Sequence, residues 1–73
     1  MSYTRFDRHA NMSDEVRGAV LDLIGEERNF NLTNMLYGLF DGYLYKELDE
    51  VQNPKLQEIL AIVKEYPMGT TMV

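Results

Sequence analysis

The sequence predicts an all-α fold: a small three-helix bundle with a flexible N-terminal arm and a short C-terminal tail. Three segments carry apolar residues at helical spacing, each begins near a residue suited to cap a helix, and the links between them are short. The 73 residues form one domain at most, and the absence of cysteine excludes disulfide bonds and thiolate metal sites. We therefore predict an arm over residues 1–12, a bundle over residues 13–67 and a tail over residues 68–73.

The first helix is predicted to begin at Ser13, a suitable N-cap followed by two acidic residues that favour a helix N-terminus. Its apolar residues recur at the spacing of one buried stripe. They are Val16, Ala19, Val20, Leu23 and Ile24. We expect this helix to end near Arg28 or Asn29. Before it, residues 1–12 show no sustained periodicity, which predicts an extended, mobile arm.

The second helix has the longest apolar pattern in the chain, and Asn31 or Thr33 is its predicted N-cap. The apolar residues of this pattern are Leu32, Met35, Leu36, Tyr37, Leu39, Phe40, Tyr43, Leu44, Leu48 and Val51. They cover more than half of the circumference, which suits the central element of a bundle. Glu47 and Glu50 fall close to the same arc, so either the helix ends earlier or its last turns lean away from the core.

The third helix is predicted to begin at Asn53-Pro54, because asparagine caps a helix and proline fits its first position. Its spacing directs five residues inward. They are Leu56, Ile59, Ile62, Val63 and Tyr66. Pro67 is predicted to end the helix, and the loose tail follows it.

The side chains give little basis for catalysis or for metal binding. His9 is the only histidine and lies in the predicted arm, and the two serines, Ser2 and Ser13, lie in the arm and at a helix cap. A nucleophile–base pair would have to involve the mobile arm, so we do not expect an enzyme. Adjacent acids on a helix do not converge, and the sequence has no Cys/His cluster and no glycine-rich phosphate loop. We therefore expect no metal and no cofactor.

Aromatic and arginine side chains in the arm predict a protein-binding segment, because such side chains dominate binding hot spots. The candidate residues are Tyr3, Arg5, Phe6, Arg8 and His9. Since the arm has no core to serve, we expect Phe6 to be the anchor, so that Phe6→Ala weakens binding and leaves the melting temperature nearly unchanged. The alternative is an ordinary disordered terminus.

A second candidate surface is the outer side of the second helix. Asp41, Tyr45 and Asp49 are spaced four residues apart and so share one helix face. Gly38 and Gly42 lie beside them, where they would let another backbone approach closely. The alternative, which we favour, is an exposed tyrosine on a solvated acidic face.

The net charge of −5 is unevenly distributed. Residues 1–12 carry +1, from two arginines and one aspartate, and residues 13–73 carry −6, from five bases and eleven acids. An acidic body argues against nucleic acid as the main ligand; it fits a basic protein surface, or serves only solubility. The chain has no apolar run of membrane-spanning length and does not begin with a secretory signal, so we expect a cytoplasmic protein and no membrane partner.

In size, acidity, lack of cysteine and arm-plus-bundle layout, the chain resembles small host-takeover proteins of bacteriophages, in particular short phage inhibitors of bacterial RNA polymerase. The resemblance is one of overall character along the whole chain and includes no diagnostic motif. It implies a large host enzyme as the partner, with host RNA polymerase the best single candidate. It also implies inhibition or redirection of transcription as the effect, in the cytoplasm of the host cell.

Two other functions are compatible with the sequence. The wide apolar arc of the second helix and the Gly38/Gly42 pair would suit a self-associating helical module that hides spare apolar surface in a dimer. An acidic mimic of nucleic acid that blocks a DNA-binding protein ranks lower, because five basic residues interrupt the acidic body. Whether the protein is a monomer or a dimer is left open by the sequence.

Overall fold

The chain folds into four α-helices, one 3₁₀ helix and a small antiparallel sheet, in a computed structural model that describes residues 3–65 and 68–72. The elements, in chain order, are β1 (Tyr3–Phe6), α1 (Arg8–Asn11), α2 (Asp14–Glu26), α3 (Phe30–Leu39), β2 (Tyr43–Tyr45), the 3₁₀ helix (Lys46–Glu50), α4 (Pro54–Lys64) and β3 (Met68–Met72). None of the helices in the described ranges is long and apolar enough to cross a membrane.

The prediction of an all-α three-helix bundle is wrong, because the segment expected to be a mobile arm is the central strand of a sheet. The strand order is β2-β1-β3, with both pairings antiparallel. Tyr3 lies opposite Tyr45 and Arg5 opposite Tyr43, while the pairing of β1 with β3 is irregular between Thr4 and Phe6. The sheet therefore joins the predicted arm to the middle of the chain and to the predicted tail.

The predicted second helix is also too long, because the chain turns after Leu39. Gly42 adopts a φ of 85°, a conformation that favours glycine, and its N–H donates to Leu39 O at 3.1 Å. Its carbonyl accepts from Phe6 N at 2.9 Å, which joins the turn to β1. Glu47 and Glu50 thus lie on the 3₁₀ helix, so their conflict with the apolar arc disappears.

Two of the three predicted helices begin as predicted, and α1 was not predicted. Ser13 Oγ accepts from Val16 N at 3.3 Å, and Asn53 Oδ1 accepts from Lys55 N and Leu56 N, the two backbone N–H groups that follow Pro54. The cap of α3 is Asn29, whose Oδ1 accepts from backbone N–H groups at 2.9 and 3.2 Å, so the prediction of Asn31 or Thr33 is wrong. The predicted first helix is α2, which ends at Glu26, slightly earlier than expected.

One hydrophobic core lies between the helices and the inner face of the sheet. Its buried residues are Phe6, Met12, Val16, Val20, Leu23, Met35, Leu36, Leu39, Leu44, Leu48, Leu56, Ile59, Leu60 and Val63. The predicted core residue Ile62 is instead 40% exposed, and Leu60 is buried at 1%. Buried Asn11 donates through Nδ2 to Val63 O at 2.7 Å and so fastens α1 to α4. Tyr66 and Pro67 lie outside the described residues.

Candidate protein-binding surface

The outer face of the sheet gathers three tyrosines and one arginine from β1 and β2. Side chains alternate between the two faces of a strand, so Phe6 and Leu44 point into the core and their neighbours lie on the opposite face, where Tyr45 also packs against core residues. The residues on the outer face are Tyr3, Arg5, Tyr43 and Tyr45, and we call this surface the tyrosine face. The strand pairing brings together residues that are far apart in the sequence.

The three rings of the tyrosine face contact one another. The ring centroids of Tyr3 and Tyr43 lie 4.7 Å apart in an edge-to-face arrangement with an interplanar angle of 82°. Tyr3 and Tyr45 are 5.5 Å apart, and Tyr43 and Tyr45 are 6.4 Å apart. Aromatic pairs at these separations stabilise each other by about 0.5–1.5 kcal/mol. Mutual packing therefore fixes the ring positions, and each ring stays partly exposed.

Arg5 is the exposed, charged member of the tyrosine face. Its guanidinium carbon lies 4.6 Å from the centroid of the Tyr43 ring, and its Nη1 donates to Tyr43 Oη at 3.2 Å. A cation over an aromatic face is attracted by the negative potential of the ring. Among the described residues no carboxylate forms an ion pair with Arg5, so its positive charge is not neutralised locally.

Gly38 allows α3 to approach the tyrosine face closely. A Cβ atom at this position would lie 2.7 Å from Tyr45 Cε2 and 3.6 Å from Tyr43 Cβ. The glycine therefore lies beneath the Tyr45 ring and does not form an exposed strip with Gly42, as the sequence had suggested. The close approach holds the Tyr45 ring between the helix and solvent.

The five predicted arm residues separate into three environments. Tyr3 and Arg5 lie on the tyrosine face, whereas Phe6 is a core residue with only 6% of its surface exposed, so its predicted role as a binding anchor is wrong. Arg8 and His9 lie on α1. Arg8 Nη1 donates to Phe40 O at 3.3 Å and lies 3.8 Å from a carboxylate oxygen of the turn after α3.

The predicted second surface does not exist as a helix face. Asp41 lies in the turn after α3, Tyr45 ends β2, and Asp49 lies on the 3₁₀ helix, where its carboxylate forms an ion pair with Lys64. Helical spacing therefore placed side by side three residues that belong to three different elements. Only Tyr45 belongs to the tyrosine face.

Sequence reasoning assigned Tyr43 to the core and so missed one member of the tyrosine face. The sequence does carry a signal for it, since Tyr3 and Arg5, like Tyr43 and Tyr45, are two residues apart, which is the spacing of one strand face. Within residues 3–65 and 68–72, no group of three or more His, Asp or Glu side chains could hold a metal ion. Comparison with family models, with curated proteins and with solved structures gave no match to this chain.

Proposed function

We propose that this protein is a regulator that acts by binding another protein through the tyrosine face, without catalytic activity of its own. The observation that supports the proposal is the gathering of three tyrosine rings and one arginine on a single outward face. Tyrosine and arginine are enriched among the residues that carry most of the energy of protein–protein binding. Because the rings already restrain one another, they lose little conformational entropy when a partner covers them.

The tyrosine cluster also stabilises the sheet, so the argument for binding depends on Arg5. Cross-strand aromatic pairs stabilise the pairing of β1 with β2 whether or not a partner binds. An exposed guanidinium above the Tyr43 ring adds a charge and free N–H donors, which sheet packing does not require. A partner carboxylate at Arg5, with apolar groups against the rings, would use all four side chains of the tyrosine face.

For the partner, we propose a bacterial enzyme, with host RNA polymerase as the first candidate and inhibition or redirection of transcription as the effect. This proposal comes from the general resemblance to small phage host-takeover proteins. The net charge of −5 favours a partner surface that is basic around the contact, since opposite fields speed encounter. We accordingly propose a cytoplasmic location, in the host cell if a phage encodes the protein.

The direct test is capture of partners from a bacterial lysate by the tagged protein and by Arg5→Glu. The matched control is Arg28→Glu, because Arg28 is also exposed and its side chain has no bonded partner within the described residues. Both variants exchange a positive charge for a negative one, so nonspecific charge effects are equal. We expect Arg5→Glu to lose at least tenfold of the captured partner and Arg28→Glu to retain it.

Equal capture by both variants would exclude the tyrosine face as the binding surface. Equal recovery of polymerase subunits in a mock purification would exclude polymerase as the partner. Thermal unfolding of each variant checks that it is folded. Any partner captured by the wild-type protein is then identified by mass spectrometry, which tests the polymerase proposal separately from the surface.

Self-association is the second candidate function, and one observation favours it. Phe30 at the start of α3 is 76% exposed, and Leu21 on α2 and Tyr37 on α3 are 54% and 51% exposed. The wide apolar arc of the predicted second helix no longer supports self-association, because five of its ten residues are buried in the core and three more pack against it. Sedimentation at several concentrations tests it: a monomer at high micromolar concentration excludes a functional dimer.

A further inference from the structure

A cationic cleft lies where α1, α2 and the end of α3 meet. Four residues line it, namely Arg8, His9, Arg17 and Phe40, around a volume of about 310 Å³. Three of the four are basic residue types, although the chain as a whole carries a net charge of −5. The charge of the cleft is therefore positive, opposite in sign to the net charge of the protein.

The backbone around the cleft is fixed by hydrogen bonds. The Asp7 carboxylate accepts from His9 N at 3.0 Å and from Ala10 N at 3.3 Å, which caps α1. Arg8 Nη1 donates to Phe40 O, so the guanidinium is held against the end of α3. Arg17 is exposed on α2 and its side chain has no hydrogen-bond or ion-pair partner within the described residues. Arg8 is thus held in position, and Arg17 is available to a ligand.

We propose that this cleft binds a carboxylate with an adjoining apolar group, supplied by a single acidic residue within the otherwise basic surface of the partner protein. This inference rests on the proposed protein-binding function. Arg8 and Arg17 carry two positive charges, and Asp41 at 3.8 Å from Arg8 offsets one of them. The remaining single charge matches one carboxylate better than a dianionic phosphate.

The chemistry of each lining residue suits this ligand. Two guanidinium groups offer donors in the planar geometry that a carboxylate accepts. The half-buried ring of Phe40 provides an apolar wall for the neighbouring group of the ligand. The ion pair of Arg8 with Asp41 is weak, because both side chains are well exposed, at 45% and 70%. An incoming carboxylate can therefore replace Asp41 at Arg8.

The experiment uses the full chain and nuclear magnetic resonance titration at low salt. The probes are the peptide acetyl-Phe-Glu-Phe-amide, which carries one carboxylate, its glutamine analogue, glutarate and inorganic phosphate. We expect the acidic peptide to shift the ring signals of His9 and the amide signals of α1, and to bind more tightly than glutarate or phosphate. We expect the glutamine analogue to leave the signals in place.

Two substitutions test the assignment of the cleft. Arg17→Gln should weaken peptide binding about fivefold, as loss of one exposed charge contact predicts, whereas the equally exposed control Arg28→Gln should not. Asp41→Asn removes the competing carboxylate and should tighten peptide binding. The absence of peptide-induced shifts, an equal response to phosphate or glutarate, or unchanged binding by Arg17→Gln would each overturn the proposal. Because purified peptides are used, such a failure leaves partner capture through the tyrosine face as a separate result.

Discussion

Phe6→Ala measures whether β1 is part of the folded domain. Phe6 is 6% exposed and belongs to the central strand of the sheet, where its side chain contacts the core. Removing a buried phenylalanine side chain costs about 3–5 kcal/mol, from lost burial and from the cavity that remains. A domain of this size has a total free energy of unfolding of about 4–11 kcal/mol. The substitution therefore removes a large part of the stability of the protein.

The assay is urea and thermal unfolding followed by circular dichroism. For a domain of this size the melting temperature falls by about 4–8 °C for each kcal/mol lost, so the expected decrease is easy to measure. Phe30→Ala is the matched control: Phe30 is 76% exposed, and surface substitutions change stability by about 0.5 kcal/mol or less. If Phe6→Ala melts at the same temperature as the control, β1 is not packed on the core and the residues around Phe6 form an arm after all.

Three further substitutions test local features of the fold. Gly38→Ala should lower the free energy of unfolding by about 1–3 kcal/mol, because the new methyl group meets the Tyr45 ring; no change in urea unfolding would contradict that contact. Gly42→Ala should cost about 1–2 kcal/mol, because its φ of 85° is unfavourable for alanine, and the same assay measures it. Asn29→Ala should cost about 1 kcal/mol by loss of the α3 cap, whereas Asn31→Ala should be nearly neutral, and equal effects would show that the cap is misassigned.

The helices could be predicted where a cap and a repeating apolar stripe coincide. Ser13 and Asn53 both act as predicted, and each precedes a helix long enough for its period to be read. β2 could not be recognised in the same way, because three residues are too few to establish an alternating pattern. In addition, Tyr43 and Leu44 fit the helical spacing that begins before Leu39, so the sequence there is compatible with both a helix and a strand. The dipeptide Asp41-Gly42 is the turn signal that separates them.

The tyrosine face could be predicted only in part. Tyr3 and Arg5 were selected from residue type alone, and both lie on it. Their association with Tyr43 and Tyr45 depends on strand pairing between distant parts of the chain, which no local pattern encodes. Phe6 was misassigned for a related reason: a large apolar residue without periodic neighbours can be either an exposed anchor or one residue of a short strand.

The central position of β1 sets the order in which the domain can fold. Its partners are residues 43–45 and residues 68–72, so Tyr3–Phe6 emerges from the ribosome long before either of them. The contacts between α2 and α3 are local in sequence, and local contacts form fastest. During synthesis β1 therefore stays unpaired, with Phe6 uncovered, until residues 43–45 have been made, and its second edge stays open until residues 68–72 follow.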